Sequence, residues 1–212
     1  MVRAWWGGLC VLVAVGFATV GPVGRARADI VKGAMTFGNL AFVDAAEIVN
    51  ADVTPAGAPT FELALTGSDL GSYIEEFRDG EIIRIIFENN WIVNEPGVDL
   101  VVFEMGSQAT AEAFDVAVDP DLGVPVYFRY EPVNQGVIDD APTNAALIDL
   151  TDLGVAEGAT VTRFLIRSAA LQGAEISGAG ALHGAPEPAS LVLLVSGAGV
   201  GLVMARRRKR HA

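Results

Sequence analysis

The sequence predicts a mostly β chain: a single antiparallel β-sandwich of jelly-roll type, flanked by an N-terminal signal peptide and a C-terminal hydrophobic helix. Three observations predict it. Apolar and polar residues alternate with a period of two in several short segments of the middle. Turn-forming Gly, Pro, Asn and Asp separate those segments. No amphipathic helix longer than about two turns can be drawn through them, residues 41–49 being the best short candidate.

The elements follow in order. Arg3, an apolar run over 10–20, and Ala26 and Ala28 at the −3 and −1 positions make residues 1–28 a secretory signal, cut before Asp29 and read by the Sec export machinery. Cys10, the only cysteine, lies inside it, so the exported chain has none and a disulfide scaffold is excluded. Residues 29–177 form the sandwich. Its expected strands are 61–65, 81–88, 98–104, 113–119, 124–130, 146–150 and 160–167. In 113–119, Phe114, Val116 and Val118 take one face and Asp115 and Asp119 the other. In 81–88, Ile83, Ile85 and Phe87 oppose Ile82, Arg84 and Ile86. Turns fall at Asp79-Gly80, Glu95-Pro96-Gly97, Asp119-Pro120-Asp121, Asn134-Gln135-Gly136 and Glu157-Gly158. Residues 178–185, rich in Gly and Ala, read as a linker to the C-terminal segment 186–212.

Charge is unevenly spread. All 26 Asp and Glu lie between Asp29 and Glu187, where only six Lys and Arg accompany them, a balance of −20. Such a domain repels phosphate, which argues against a nucleic-acid partner. Both remaining ends carry bases and no acids.

At the C-terminus, Pro186-Glu187-Pro188 precedes an apolar run over 191–205 and the basic stop Arg206, Arg207, Arg208, Lys209 and Arg210. A helix over 191–205 spans about 22 Å against a hydrocarbon core of about 30 Å, a short membrane anchor. The basic residues after it set the orientation, tail inside and domain outside. This order of triplet, short helix and arginine cluster resembles the PEP-CTERM sorting signal. The resemblance implies processing by exosortase near the triplet, transient inner-membrane anchoring, and delivery to the cell surface or exopolysaccharide (biofilm) matrix of a Gram-negative bacterium. The triplet would be substrate, not catalyst.

The stretches 92–104 and 173–182 resemble jelly-roll domains of galactose-binding, discoidin-like type, which implies sugar binding or a surface-building role. Two aspartates usual in the second stretch are here Glu175 and Ser177. Structural calcium has candidate ligands in Asn90, Asn94 and Asp99, with Glu88 or Glu104 near by, and Asp44 and Glu175 a second pair if the domain's ends meet. The plainer reading is that Asn94 and Asp99 cap the Pro96-Gly97 turn. For a sugar, Trp91 and Tyr127 are the candidate stacking rings, although Trp91 also suits the end of the core. A catalytic triad would need His183, placed in the Gly-rich stretch, and Gly67-Ser68-Asp69 reads as a turn. The expectation is therefore a non-enzymatic, exported surface or matrix protein. The alternatives are a carbohydrate-binding module with a defined sugar site, a tail-anchored envelope protein and a secreted hydrolase.

Overall fold

The computed structural model describes residues 29–186 except 39, 107, 121–122 and 170–172, with only the backbone of 108, 185 and 186. The signal peptide, Glu187, Pro188, the 191–205 run and Arg206, Arg207, Arg208, Lys209 and Arg210 lie outside the described residues. The chain opens with a hairpin, β1 (Ile30–Lys32) and β2 (Met35–Phe37), and continues into β3 (Ala45–Asn50). An excursion follows: β4 (Thr54–Ala56), the short helix α1 (Phe61–Leu65), and β5 (Tyr73–Glu75), which pairs with β4. Next come β6 (Ile82–Ile86), β7 (Asn90–Val93), β8 (Leu100–Met105), β9 (Phe114–Val118) and β10 (Phe128–Tyr130). The last six are β11 (Val133–Ile138), β12 (Ala141–Ile148), β13 (Thr160–Val161), β14 (Arg163–Ser168), β15 (Ile176–Ala181) and β16 (Gly184–Pro186).

Two antiparallel sheets form the body. The five-stranded one runs β10-β9-β14-β6-β3 and the four-stranded one β11-β12-β8-β15. Ile83 and Ile85 of β6, Phe114 and Val116 of β9, and Phe164 and Ile166 of β14 share one core with Leu100, Val102, Ala146, Ile148 and Ile176 of the facing sheet. That shared core makes the body a β-sandwich, as the alternation predicts. A second cluster covers the other face of the four-stranded sheet, where Phe37 and Phe42 pack on Val101, Phe103 and Ala145. Every residue of β8 is consequently buried. Lys32 of β1 ties this cover down through an ion pair to Asp139, which also accepts a hydrogen bond from Leu70 N at 3.0 Å. A small sheet, β13-β7-β16, closes one end.

Several expectations are corrected. Residues 61–65 form a helix, because Thr60 caps it through Oγ1 to Leu63 N at 3.3 Å and Ala64 and Leu65 point inward. The expected helix 41–49 is instead largely β3, an edge strand whose ladder with β6 outweighs its helical spacing. Of 124–130 only Phe128–Tyr130 pairs, for Pro125 lacks the N–H a ladder needs. Asn134-Gln135-Gly136 is a bulge within β11, and the hairpin turns at Asp139-Asp140, both with positive φ. The Gly/Ala stretch 178–185, expected as a linker, carries β15 and β16. Its glycines mark close packing: a Cβ on Gly180 would lie 2.8 Å from the Phe37 ring.

Candidate functional site

On the five-stranded sheet, inward Phe164 and Ile166 leave Arg163, Leu165 and Arg167 facing outward, and inward Phe114 and Val116 do the same for Asp115, Ala117 and Asp119. Arg84 joins them from β6, Glu47 from β3, and Tyr127 and Arg129 from β10 and the residue before it. Four of the six basic residues between Asp29 and Glu187 therefore gather on one outer face. Arg84 bridges two strands, with Nε 2.6 Å from Asp119 Oδ2 and Nη1 2.5 Å from Glu47 Oε2. Arg167 Nη2 lies 2.5 Å from Asp115 Oδ2, and its guanidinium sits 4.1 Å from the centre of the Tyr127 ring. Burial, with the nearby carboxylates Asp119 and Asp115, raises the Tyr127 phenol above its ordinary value against the opposing pull of Arg167, so it stays a neutral donor. At the corner of this face Asp119, Pro120, Thr160, Thr162 and Arg163 line an open cleft of about 290 Å³. Charges of both signs cancel across the face, while guanidinium donors, carboxylate acceptors and one ring lie side by side.

The residues named from sequence are scattered over several places. Tyr127 belongs to the face just described. Trp91 does not: it lies in β7, half-buried, on the side opposite the core residue Ile92. Asp99 caps the Pro96-Gly97 turn, as the capping reading expects, whereas the Asn94 side chain does not cap that turn and ties the 151–155 loop instead. Asn94 Nδ2 donates to Val155 O at 2.8 Å and to Thr151 Oγ1 at 3.2 Å. Asp99, fully buried, accepts from Glu95 N at 2.9 Å and Leu150 N at 3.0 Å, and its Oδ1 lies 2.9 Å from His183 Nδ1. Asn90 is buried against the backbone of Gly184. Asp44 caps a different turn, accepting from Glu88 N at 2.8 Å and Asn89 N at 2.9 Å. Glu175 is not beside it. Val43 N bonds Ala179 O, whereas Glu175 precedes the other end of β15. Among the described residues, no three His, Cys, Asp or Glu gather as they would around a metal ion.

Sequence reasoning placed Glu104 only near a calcium site and missed its pairing, fully buried, with the half-buried carboxyl of Glu112. Glu104 of β8 points between the sheets, fully buried, and its Oε2 accepts from Asn144 Nδ2 at 2.6 Å. Asn134 Nδ2 in turn donates to Asn144 Oδ1 at 3.1 Å, so a polar row crosses three strands. No amide or hydroxyl donor reaches Glu104 Oε1. The group beside it is the Glu112 carboxyl, which serves as partner only when one of the two carries a proton. Burial, and then the neighbouring carboxylates Glu112 and Glu175, push Glu104 up to about 8 against the Asn144 hydrogen bond, and burial raises Glu112 as well. A polar residue in the otherwise apolar run 100–105 is the signal that could have found it.

No known family model matches the chain, and no curated protein matches it. Among solved structures it is similar to a carbohydrate-binding module, the CBM32 of AlyQ in complex with 4,5-unsaturated mannuronic acid. The identity is 12%, the TM-score 0.35, and the match covers 65% of this chain and 96% of that one. A TM-score that low carries neither fold nor ligand across to this chain.

Proposed function

We propose that the chain is an exported, non-enzymatic surface or matrix protein whose jelly-roll sandwich binds polysaccharide on the outer face of the five-stranded sheet. The observation that carries this reading is the gathering there of Arg84, Arg163, Arg167 and Arg129 with Asp115, Asp119 and Tyr127, in a domain otherwise dominated by carboxylates. Sugars present hydroxyls that donate and accept together with apolar C–H faces, and a grid of guanidinium, carboxylate and ring answers each. The local charge balance suits a neutral glycan better than an acidic one.

Delivery rests on the C-terminal segment. In this reading 191–205 enters the inner membrane, the basic stop stays inside, and exosortase acts at Pro186, Glu187 and Pro188. A glycan array probed with the full chain in detergent tests the binding half. The expected result is selective retention on neutral glycans, reduced at least tenfold by Tyr127→Ala and unchanged by Trp91→Ala. Retention that survives Tyr127→Ala and Arg167→Ala together would remove this face from the proposal. Intact mass of the protein from cell envelope and medium tests the delivery half: a chain ending near Pro188 supports sorting, and one keeping 191–212 supports a permanent anchor.

A further inference from the structure

We propose that the outer face of the small sheet β13-β7-β16 rests on the membrane surface, with Trp91 at the boundary between water and lipid. This inference rests on the reading that 191–205 enters a membrane, and it adds an orientation for the domain. The sequence leads one to expect a slack Gly/Ala tether before that run. Instead the chain is held by the fold as far as Pro186. Leu182 N donates to Asp99 O at 2.8 Å, and Val93 N donates to His183 O at 2.9 Å. His183 Nδ1 lies 2.9 Å from Asp99 Oδ1, and β16 then pairs with β7 in the register Gly184↔Ile92, Ala185↔Trp91, Pro186↔Asn90. Only residues 187–190 separate Pro186 from the apolar run. The five steps from Pro186 to Leu191 reach at most about 18 Å even when fully extended, so the edge that carries β16 must lie close to the lipid.

That edge carries suitable side chains. Ile92 faces the core, so Trp91 and Val93 face outward, with Thr160 beside Val93 in the ladder. Trp91 and Val93 are each only partly covered. An indole, apolar in body and with one polar N–H, is favoured at the water–lipid interface. The acidic domain favours a zwitterionic surface over an anionic one, because its −20 balance repels anionic headgroups. The occupant we commit to is therefore a phosphatidylcholine-like surface. The glycan face on the five-stranded sheet is a separate surface and stays available.

The sequence supplies its own reporter. Of three tryptophans, Trp5 and Trp6 lie in the signal peptide, so the full chain carrying Trp5→Phe and Trp6→Phe has Trp91 as its only one. It is reconstituted into phosphatidylcholine vesicles with and without lipid brominated near the headgroup. The expected result is quenching of Trp91 emission by at least twofold with brominated lipid. Inserting twenty Gly/Ser residues after Pro186 should relieve most of that quenching without unfolding the sandwich. If the chain floats with the vesicles and resists alkaline extraction while its emission is indifferent to bromine, docking is wrong and the anchor stands. If the chain does not float with the vesicles, the anchor reading fails and takes this inference with it.

Discussion

The four-stranded sheet is covered on both faces and the five-stranded sheet on one, and their polar residues behave differently as a result. Under two layers of cover, Glu104 has no solvent to turn to. Its charge is suppressed, and one of its carboxyl oxygens is buried without a hydrogen-bond partner. On the open face, Arg84 and Arg167 pair across strands and remain within reach of a ligand. A polar group inside the sandwich therefore sets how stability depends on pH, while the same chemistry on the outer face can do work on a partner.

The sharpest way to break this contrast is at Phe103, which faces away from the main core yet is fully buried beneath Phe37, with ring centroids 5.9 Å apart. Phe103→Ala should cost about 3–5 kcal/mol, measured by urea unfolding, as a core truncation does. A loss under 1 kcal/mol would mean that the N-terminal hairpin is no true cover. The next effect is at Glu104. Its carboxyl titrates near 8 in the folded chain against an ordinary 4.5, so between those values the folded state holds more protons than the unfolded one. Stability should then fall as pH rises from about 5 to 8, by about 1.4 kcal/mol for each unit of the shift that is expressed, and level off above. Glu104→Gln should flatten that slope; an unchanged slope would place the buried proton elsewhere. Arg84→Ala removes two partly exposed ion pairs and should cost only about 1 kcal/mol, less at high salt. Smallest of all, Leu147→Ser, on an exposed position of β12, should move stability by under about 0.5 kcal/mol.

The open sheet was legible in the sequence because one solvated face produces alternation: β6, β9 and β14 fall where period two places them. Covered strands lose that signal. β8 reads as a continuous apolar run, and β15 reads as a linker because Gly178 and Gly180 are small for packing, one beneath the Leu65 carbonyl and the other beneath the Phe37 ring. Local cues misled where ladders outweighed them, as at β3, or where a cap was overlooked, as at Thr60. The site was half legible. Tyr127 was a candidate ring, but its partner Arg167 lies forty residues away in sequence, and only the β10-β9 and β9-β14 registers together bring them into contact. Glu104 and Glu112 are eight residues apart, and their meeting depends on how the chain turns from β8 into β9.

The central claim is that the outer face of the five-stranded sheet is where this protein meets polysaccharide. Hydrogen exchange of the full chain, with and without a neutral glycan that it retains, tests it most directly. The account predicts added protection confined to β9, β14 and the segment leading through Tyr127 into β10. Protection at β7 and β16 instead, with that sheet unchanged, would contradict it.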